Sequence, residues 1–81
     1  MNEKLSRLID QIAEQFDEGL NVEKNNITED TPFRDTVDWD SMGALCVIAV
    51  LEDNYGISVT GMQMKNELNT FKDLINLIES N

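Results

Sequence analysis

The run Met42-Gly43-Ala44-Leu45-Cys46-Val47-Ile48-Ala49-Val50-Leu51 is the strongest constraint on how this chain folds. It is apolar almost all round. As a helix it is therefore either central in a bundle or carries a second face meant for a partner. Its β-branched residues also suit a strand, but its length and the Glu52-Asp53-Asn54 ending favour a helix from about Ser41 to Asn54. Asp40 or Ser41 is placed to cap that helix, because a side-chain oxygen there can accept a bond from an early backbone N–H. Tyr55-Gly56-Ile57 reads as its C-cap and turn, with Gly56 supplying the left-handed conformation that ends helices.

The rest of the chain is arranged around this element. Leu5, Leu8, Ile9, Ile12, Ala13 and Phe16 recur at helical spacing, with Glu3, Arg7, Asp10, Glu14 and Asp17 between them. This predicts an amphipathic helix over about 3–17, with Gly19 as its stop signal. Residues 20–40 form a long connection that holds the only proline, Pro32. Leu20, Val22, Ile27, Phe33 and Val37 are read as pegs pinning it to the core, since a connection this long is usually functional or poorly ordered. Ile57 to Gly61 is extended, and Met62 to Glu67 forms one short helical segment. Thr70 caps a last helix, with Asp73 at the capping-box position and Phe71, Leu74, Ile75 and Ile78 on its buried face. The expected fold is all-α, a small four-helix bundle with three main helices, one short helix and a long loop between the first two, in a single domain over 1–81.

Charge and composition narrow the function. Eighty-one residues carry 16 acidic and 6 basic side chains, a net charge of −10. Nucleic acid is disfavoured as a partner, because phosphate backbones require Lys and Arg, and anionic membranes are disfavoured for the same reason. Proteins with basic patches are the expected partners. The alternative is that the acidic residues only keep a small protein in solution. With one cysteine, Cys46, and no histidine, a disulfide scaffold is excluded and a zinc site is not expected. A single free cysteine suits a reducing compartment. Met1-Asn2-Glu3-Lys4 lacks the features of a signal peptide, and no stretch approaches a membrane span, so the cytoplasm is the expected location.

Few residues are equipped for chemistry. A Ser-His-Asp triad needs a histidine that is absent. Cys46 lacks a histidine partner and lies in an apolar segment, which keeps it a thiol; it reads as a filler or surface residue. No glycine-rich phosphate loop is present. Asp38-Trp39-Asp40 resembles the start of a calcium loop with Gly43 correctly sixth, but Met42 stands at the fifth position and Ala49 at the twelfth, where a glutamate is required. No metal site is expected beyond weak divalent-cation binding to the acidic surface. What is left is Ser41, at the junction of the acidic loop and the second helix. A helix N-terminus favours a phosphate, so a serine there is either a plain cap or the bearer of a phosphate-linked group.

The ordered set Thr31-Pro32-Phe33, Asp40-Ser41-Met42, Leu51-Glu52-Asp53-Asn54-Tyr55-Gly56-Ile57 and Thr70-Phe71-Lys72-Asp73-Leu74 resembles the acyl carrier protein family over nearly the whole chain. By that resemblance Ser41 is the attachment point of 4′-phosphopantetheine, moved there from coenzyme A by a phosphopantetheinyl transferase. The chain is then a non-catalytic carrier of acyl thioesters, monomeric, presenting them to acyl-transferring, synthase or ligase enzymes with basic patches. The resemblance implies that Asp38, Asp40, Met42, Leu45, Glu52 and Asp53 serve partner recognition, with Asp40 also a cap. Fatty-acid or specialised, polyketide-like biosynthesis is the implied setting. A peptidyl or D-alanyl carrier, or an unmodified acidic helical adaptor, is the alternative.

The chain departs from the family pattern at two places. Met42 stands where leucine is most frequent, a change that keeps volume and apolar character. Gly43 stands where fatty-acid carriers usually place an acidic residue. With Ala44, Cys46 and Ala49 it is read as giving a smoother, less charged helix and hence a different choice of partner. Trp39 is either an anchor for the loop or a contact for the arm or a partner. Leu45, Val47, Ile48 and Leu51 read individually as core, and collectively with Phe33, Ile57, Phe71 and Ile75 as a candidate groove for an acyl chain.

Overall fold

The computed structural model describes residues 2–80. Four helices follow in order: α1 (Glu3–Glu14), α2 (Gly43–Tyr55), α3 (Gly61–Asn66) and α4 (Phe71–Glu79). Two single 3-10 turns, Lys24–Asn26 and Phe33–Asp35, interrupt the long connection between α1 and α2. Helix α2 packs against α1 and α3, and α4 packs against α1. The all-α bundle with three main helices and one short one is the architecture the periodicity predicts.

Helix α1 opens on Asn2, whose side chain accepts from the Lys4 N–H at 2.8 Å. It buries Leu5, Leu8, Ile9 and Ile12, as their spacing requires. It ends at Glu14 rather than near Asp17, because the chain tightens into three-residue turns: the Phe16 N–H donates to the Ala13 carbonyl and the Gly19 N–H to the Phe16 carbonyl. Gly19 completes the reversal at φ 64°.

The long connection is pinned by backbone pairing as well as by side chains. The Phe33 N–H donates to the Asn69 carbonyl, the Phe71 N–H to the Thr31 carbonyl and the Lys72 N–H to the Glu29 carbonyl, so residues 29–33 are laced to the entry of α4. Leu20 bridges to Val37 in the same way. Ile27, Phe33 and Val37 are fully buried and Leu20 is packed against the core, so four of the five expected pegs serve as such. Val22 does not: it is exposed, on a bend beyond the Leu20–Val37 bridge. Thr36 is the one buried polar residue among those described, and its hydroxyl donates to the Phe33 carbonyl at 2.7 Å.

Helix α2 buries Gly43, Val47, Val50 and Leu51. It ends as predicted on Gly56 at φ 66°, where the Gly56 N–H donates to the Glu52 carbonyl and the Ile57 N–H to the Leu51 carbonyl. Helices α3 and α4 both open on a full capping box. Thr60 pairs reciprocally with Gln63, and Thr70 with Asp73. The second box is legible in the sequence; the first went unread because a six-residue helix has too little periodicity to mark its start.

Candidate functional site

Residues 40–43 form a tight turn that delivers the chain into α2. The Gly43 N–H donates to the Asp40 carbonyl at 3.1 Å, and the Met42 N–H donates to Asp40 Oδ1 at 2.8 Å. Asp40 therefore holds the turn through both main chain and side chain. The helix itself begins at Gly43, two residues later than its pattern suggests, with Met42 in the cap position and no side-chain capping bond. Ser41 is not a cap. It sits exposed within the turn, and among the described residues its hydroxyl has no hydrogen-bond partner. An exposed, uncommitted hydroxyl beside the positive end of a 13-residue helix suits a covalently attached phosphate.

The turn is fixed from below by Trp39. Its ring lies 5.8 Å from that of Phe33 and 6.1 Å from that of Phe16, centroid to centroid. The Arg34 guanidinium covers Phe33 at 4.7 Å and Trp39 at 5.2 Å. On its remaining side Trp39 abuts Gly43, where an ideal Cβ would fall 2.6 Å from Trp39 Cδ2. Trp39 is thus an anchor. Gly43 is buried under it and is not part of the outward face. The reading of Gly43 as a smooth surface position is corrected: the absence of a side chain there answers to the indole.

All six residues expected at a partner surface are exposed: Asp38, Asp40, Met42, Leu45, Glu52 and Asp53. They are spread from the loop before α2 to its last turn. Asp38 and Asp40 line a cleft of about 260 Å³ with Phe16, Asp17, Glu18 and Gly19. Met42 and Leu45, each 55% exposed, lie one turn apart at the start of α2. Glu52 and Asp53 stand near its other end, roughly 10 Å along the axis from Leu45 at 1.5 Å per residue. Leu45 is therefore a surface residue, which corrects its reading as core. Met62, 74% exposed on α3, went unread because a lone methionine gives no sequence signal of exposure. Arg34 also went unread, although an arginine between Phe33 and Trp39 in the sequence is a usable cue for stacking.

Leu45 apart, the side chains of the candidate acyl groove pack as core. Phe33, Val47, Leu51 and Phe71 are completely buried, and with Ile57 and Ile75 they form part of one core cluster. Ile75 instead helps line a separate cavity of about 120 Å³ with Lys4, Arg7, Tyr55 and Ile78. Cys46 is free and half-buried. Among the described residues no group of three or more acidic, cysteine or histidine side chains converges to hold a metal, and no helix is long and apolar enough to cross a membrane.

Asp73 is the residue whose ionisation the fold visibly perturbs. The Thr70 and Asn69 backbone N–H groups, at 3.0 and 2.9 Å, hold its carboxyl below the usual value of 3.8. This belongs to the α4 capping box and not to the Ser41 turn.

Comparison with known proteins shows the family. The family model described as phosphopantetheine attachment site matches residues 6–78. The chain is also similar to the acyl carrier protein of Thermobifida fusca (strain YX). The two are 31% identical over 72 residues, which cover 89% of this chain and 90% of that protein.

Proposed function

This chain belongs to the acyl carrier protein family, and from that premise we propose that Ser41 is the residue bearing its cofactor. That cofactor is a covalently attached 4′-phosphopantetheine, whose terminal thiol holds acyl groups as thioesters. The family role is that of a carrier that meets a phosphopantetheinyl transferase and biosynthetic enzymes. The observation that carries the assignment to Ser41 is its exposed, unpaired hydroxyl within the turn at the start of α2.

The chain's own residues perform limited tasks. Asp40 shapes the turn and leaves the Ser41 hydroxyl uncommitted. The positive end of α2 favours the phosphodiester. With no histidine in the chain, the base that takes the Ser41 proton belongs to the transferase. Met42 and Leu45 offer apolar contacts beside Ser41, and Asp38, Asp40, Glu52 and Asp53 offer carboxylates to basic partners. The protein acts as a cytoplasmic monomer without catalytic activity of its own.

Its pathway is fatty-acid or specialised, polyketide-like synthesis. Gly43 does not discriminate between them, because Trp39 already dictates it. Turnover by fatty-acid synthase enzymes at the rate of the host's main carrier assigns the first; poor turnover assigns the second.

Intact mass before and after incubation with coenzyme A and a broad-specificity transferase tests the site. The wild type gains one phosphopantetheine and Ser41→Ala gains none. An equal gain on both refutes the assignment. An acidic adaptor, by contrast, keeps its function in Ser41→Ala.

A further inference from the structure

We infer that Arg34 is a positioning residue for Ser41, acting through Trp39; the inference rests on the assignment of the attachment site to Ser41. Arg34 lies half-buried in the loop before α2. It donates through Nη1 to the Leu68 carbonyl at 2.9 Å and through Nη2 to the Met64 carbonyl at 2.5 Å. The Met64 carbonyl lies in the last turn of α3, where the helix dipole is negative and favours a cation, and Leu68 follows just beyond the end of the helix. The plane of the same guanidinium covers the rings of Phe33 and Trp39. One side chain thus ties α3 to the aromatic stack under the Ser41 turn.

The consequence for Ser41 follows from what holds it. Its hydroxyl has no partner among the described residues, so nothing at its tip fixes its direction. Its orientation is set by the turn, which Asp40 holds through the Met42 and Gly43 amides and which is flanked by Trp39, two residues before Ser41, and Gly43, two residues after it. These two are in direct contact with each other. Trp39 is bounded by Phe16, Phe33, Gly43 and Arg34. Of these four, Arg34 is the one whose side chain hydrogen-bonds a carbonyl of α3. Remove Arg34 and the indole loses one of the three side chains that hold it against Gly43, and the turn between them loosens with it. Lysine cannot substitute fully, since an ammonium has no plane to stack and no fork to span two carbonyls. A misplacement of about 1 Å costs up to about a hundredfold in rate when orientation limits transfer.

The test compares wild type, Arg34→Gln, Arg34→Lys and Lys65→Gln as substrates for a broad-specificity phosphopantetheinyl transferase. Lys65 is an exposed residue of α3 outside the stack, and its variant controls for loss of a positive charge there. Rates are read by intact mass at a temperature where circular dichroism shows each variant folded. Trp39, the only tryptophan, reports the stack by its emission. The expected result is a fall in kcat of about tenfold or more in Arg34→Gln with KM within about twofold of wild type. A red shift of Trp39 emission accompanies it, Arg34→Lys is intermediate in both, and Lys65→Gln matches wild type. A folded Arg34→Gln with wild-type kcat overturns the inference, whatever its emission. So does a loss of kcat without a shift in emission. Should Arg34→Gln not fold, the same criteria apply to Arg34→Lys. If wild type gains no phosphopantetheine, or Ser41→Ala gains as much, the Ser41 assignment itself fails; that failure appears without any Arg34 variant and takes the positioning role with it.

Discussion

Trp39 and Gly43 are packed so closely that only a hydrogen atom fits between the indole and the first Cα of α2. An ideal Cβ at position 43 would lie 2.6, 2.7 and 2.9 Å from three ring carbons. Helix propensity alone predicts that Gly43→Ala stabilises the protein by about 0.5–1 kcal/mol. The packing predicts the reverse. The indole is held by Phe16, Phe33 and Arg34, so it cannot step aside cheaply. Gly43→Ala is expected to destabilise by about 1–3 kcal/mol, with a red shift of Trp39 emission. Urea unfolding with fluorescence detection measures both; a more stable variant would contradict the packing argument.

Leu45 and Leu51 look alike in the sequence and occupy opposite environments, Leu45 being 55% exposed and Leu51 fully buried. Leu51→Ala leaves a cavity and is expected to cost about 2–5 kcal/mol. Leu45→Ala changes stability by no more than about 0.5 kcal/mol. Paired denaturation curves decide the matter, and equal losses would place Leu45 in the core after all.

The Thr70–Asp73 box fixes the start of α4 and, through the pairing of residues 29–33, the long connection. Thr70→Ala is expected to cost about 1 kcal/mol, or about 4–8 °C in Tm. Asp73 adds a pH dependence. Its folded-state pKa lies below 3.8 because the Thr70 and Asn69 amides stabilise the carboxylate. The unfolded chain therefore takes up this proton first as pH falls. The contribution is complete above the unfolded value and is lost as pH drops through the folded one. Wild type is expected to exceed Asp73→Asn in stability at pH 7, with the gap closing in acid. A gap independent of pH would exclude the carboxylate as its source.

A net charge of −10 on so small a domain is self-repulsive. Asp17, Glu18, Asp38 and Asp40 share one cleft whose lining includes no basic side chain. Added salt or millimolar magnesium or calcium is expected to raise Tm, by about 5 °C for about 1 kcal/mol of relieved repulsion. Thermal melts across a salt series test this, and a flat response would remove repulsion as a factor.

The bundle was legible because its signals are local. The 3.6-residue spacing of Leu5, Leu8, Ile9 and Ile12, the stop at Gly56 and the Thr70–Asp73 pair each depend on neighbours a few residues away. The Asp40-Ser41-Met42 segment was legible for the same reason. Its detail was not: α2 starts at Gly43 rather than Ser41 because Asp40 spends its side chain on the Met42 amide within the preceding turn.

The sequence by itself determined the helices, the Gly56 stop and the Thr70–Asp73 cap, the acidic character and Ser41 as the candidate bearer of the cofactor. Only the tertiary structure decided that Gly43 is buried, that Leu45 faces outward while Val22 is no peg, and that Arg34 joins α3 to Trp39. The physical reason is that periodicity records which residues share a face of one helix. It does not record which neighbour covers that face, and here an indole and a guanidinium from the long loop do the covering.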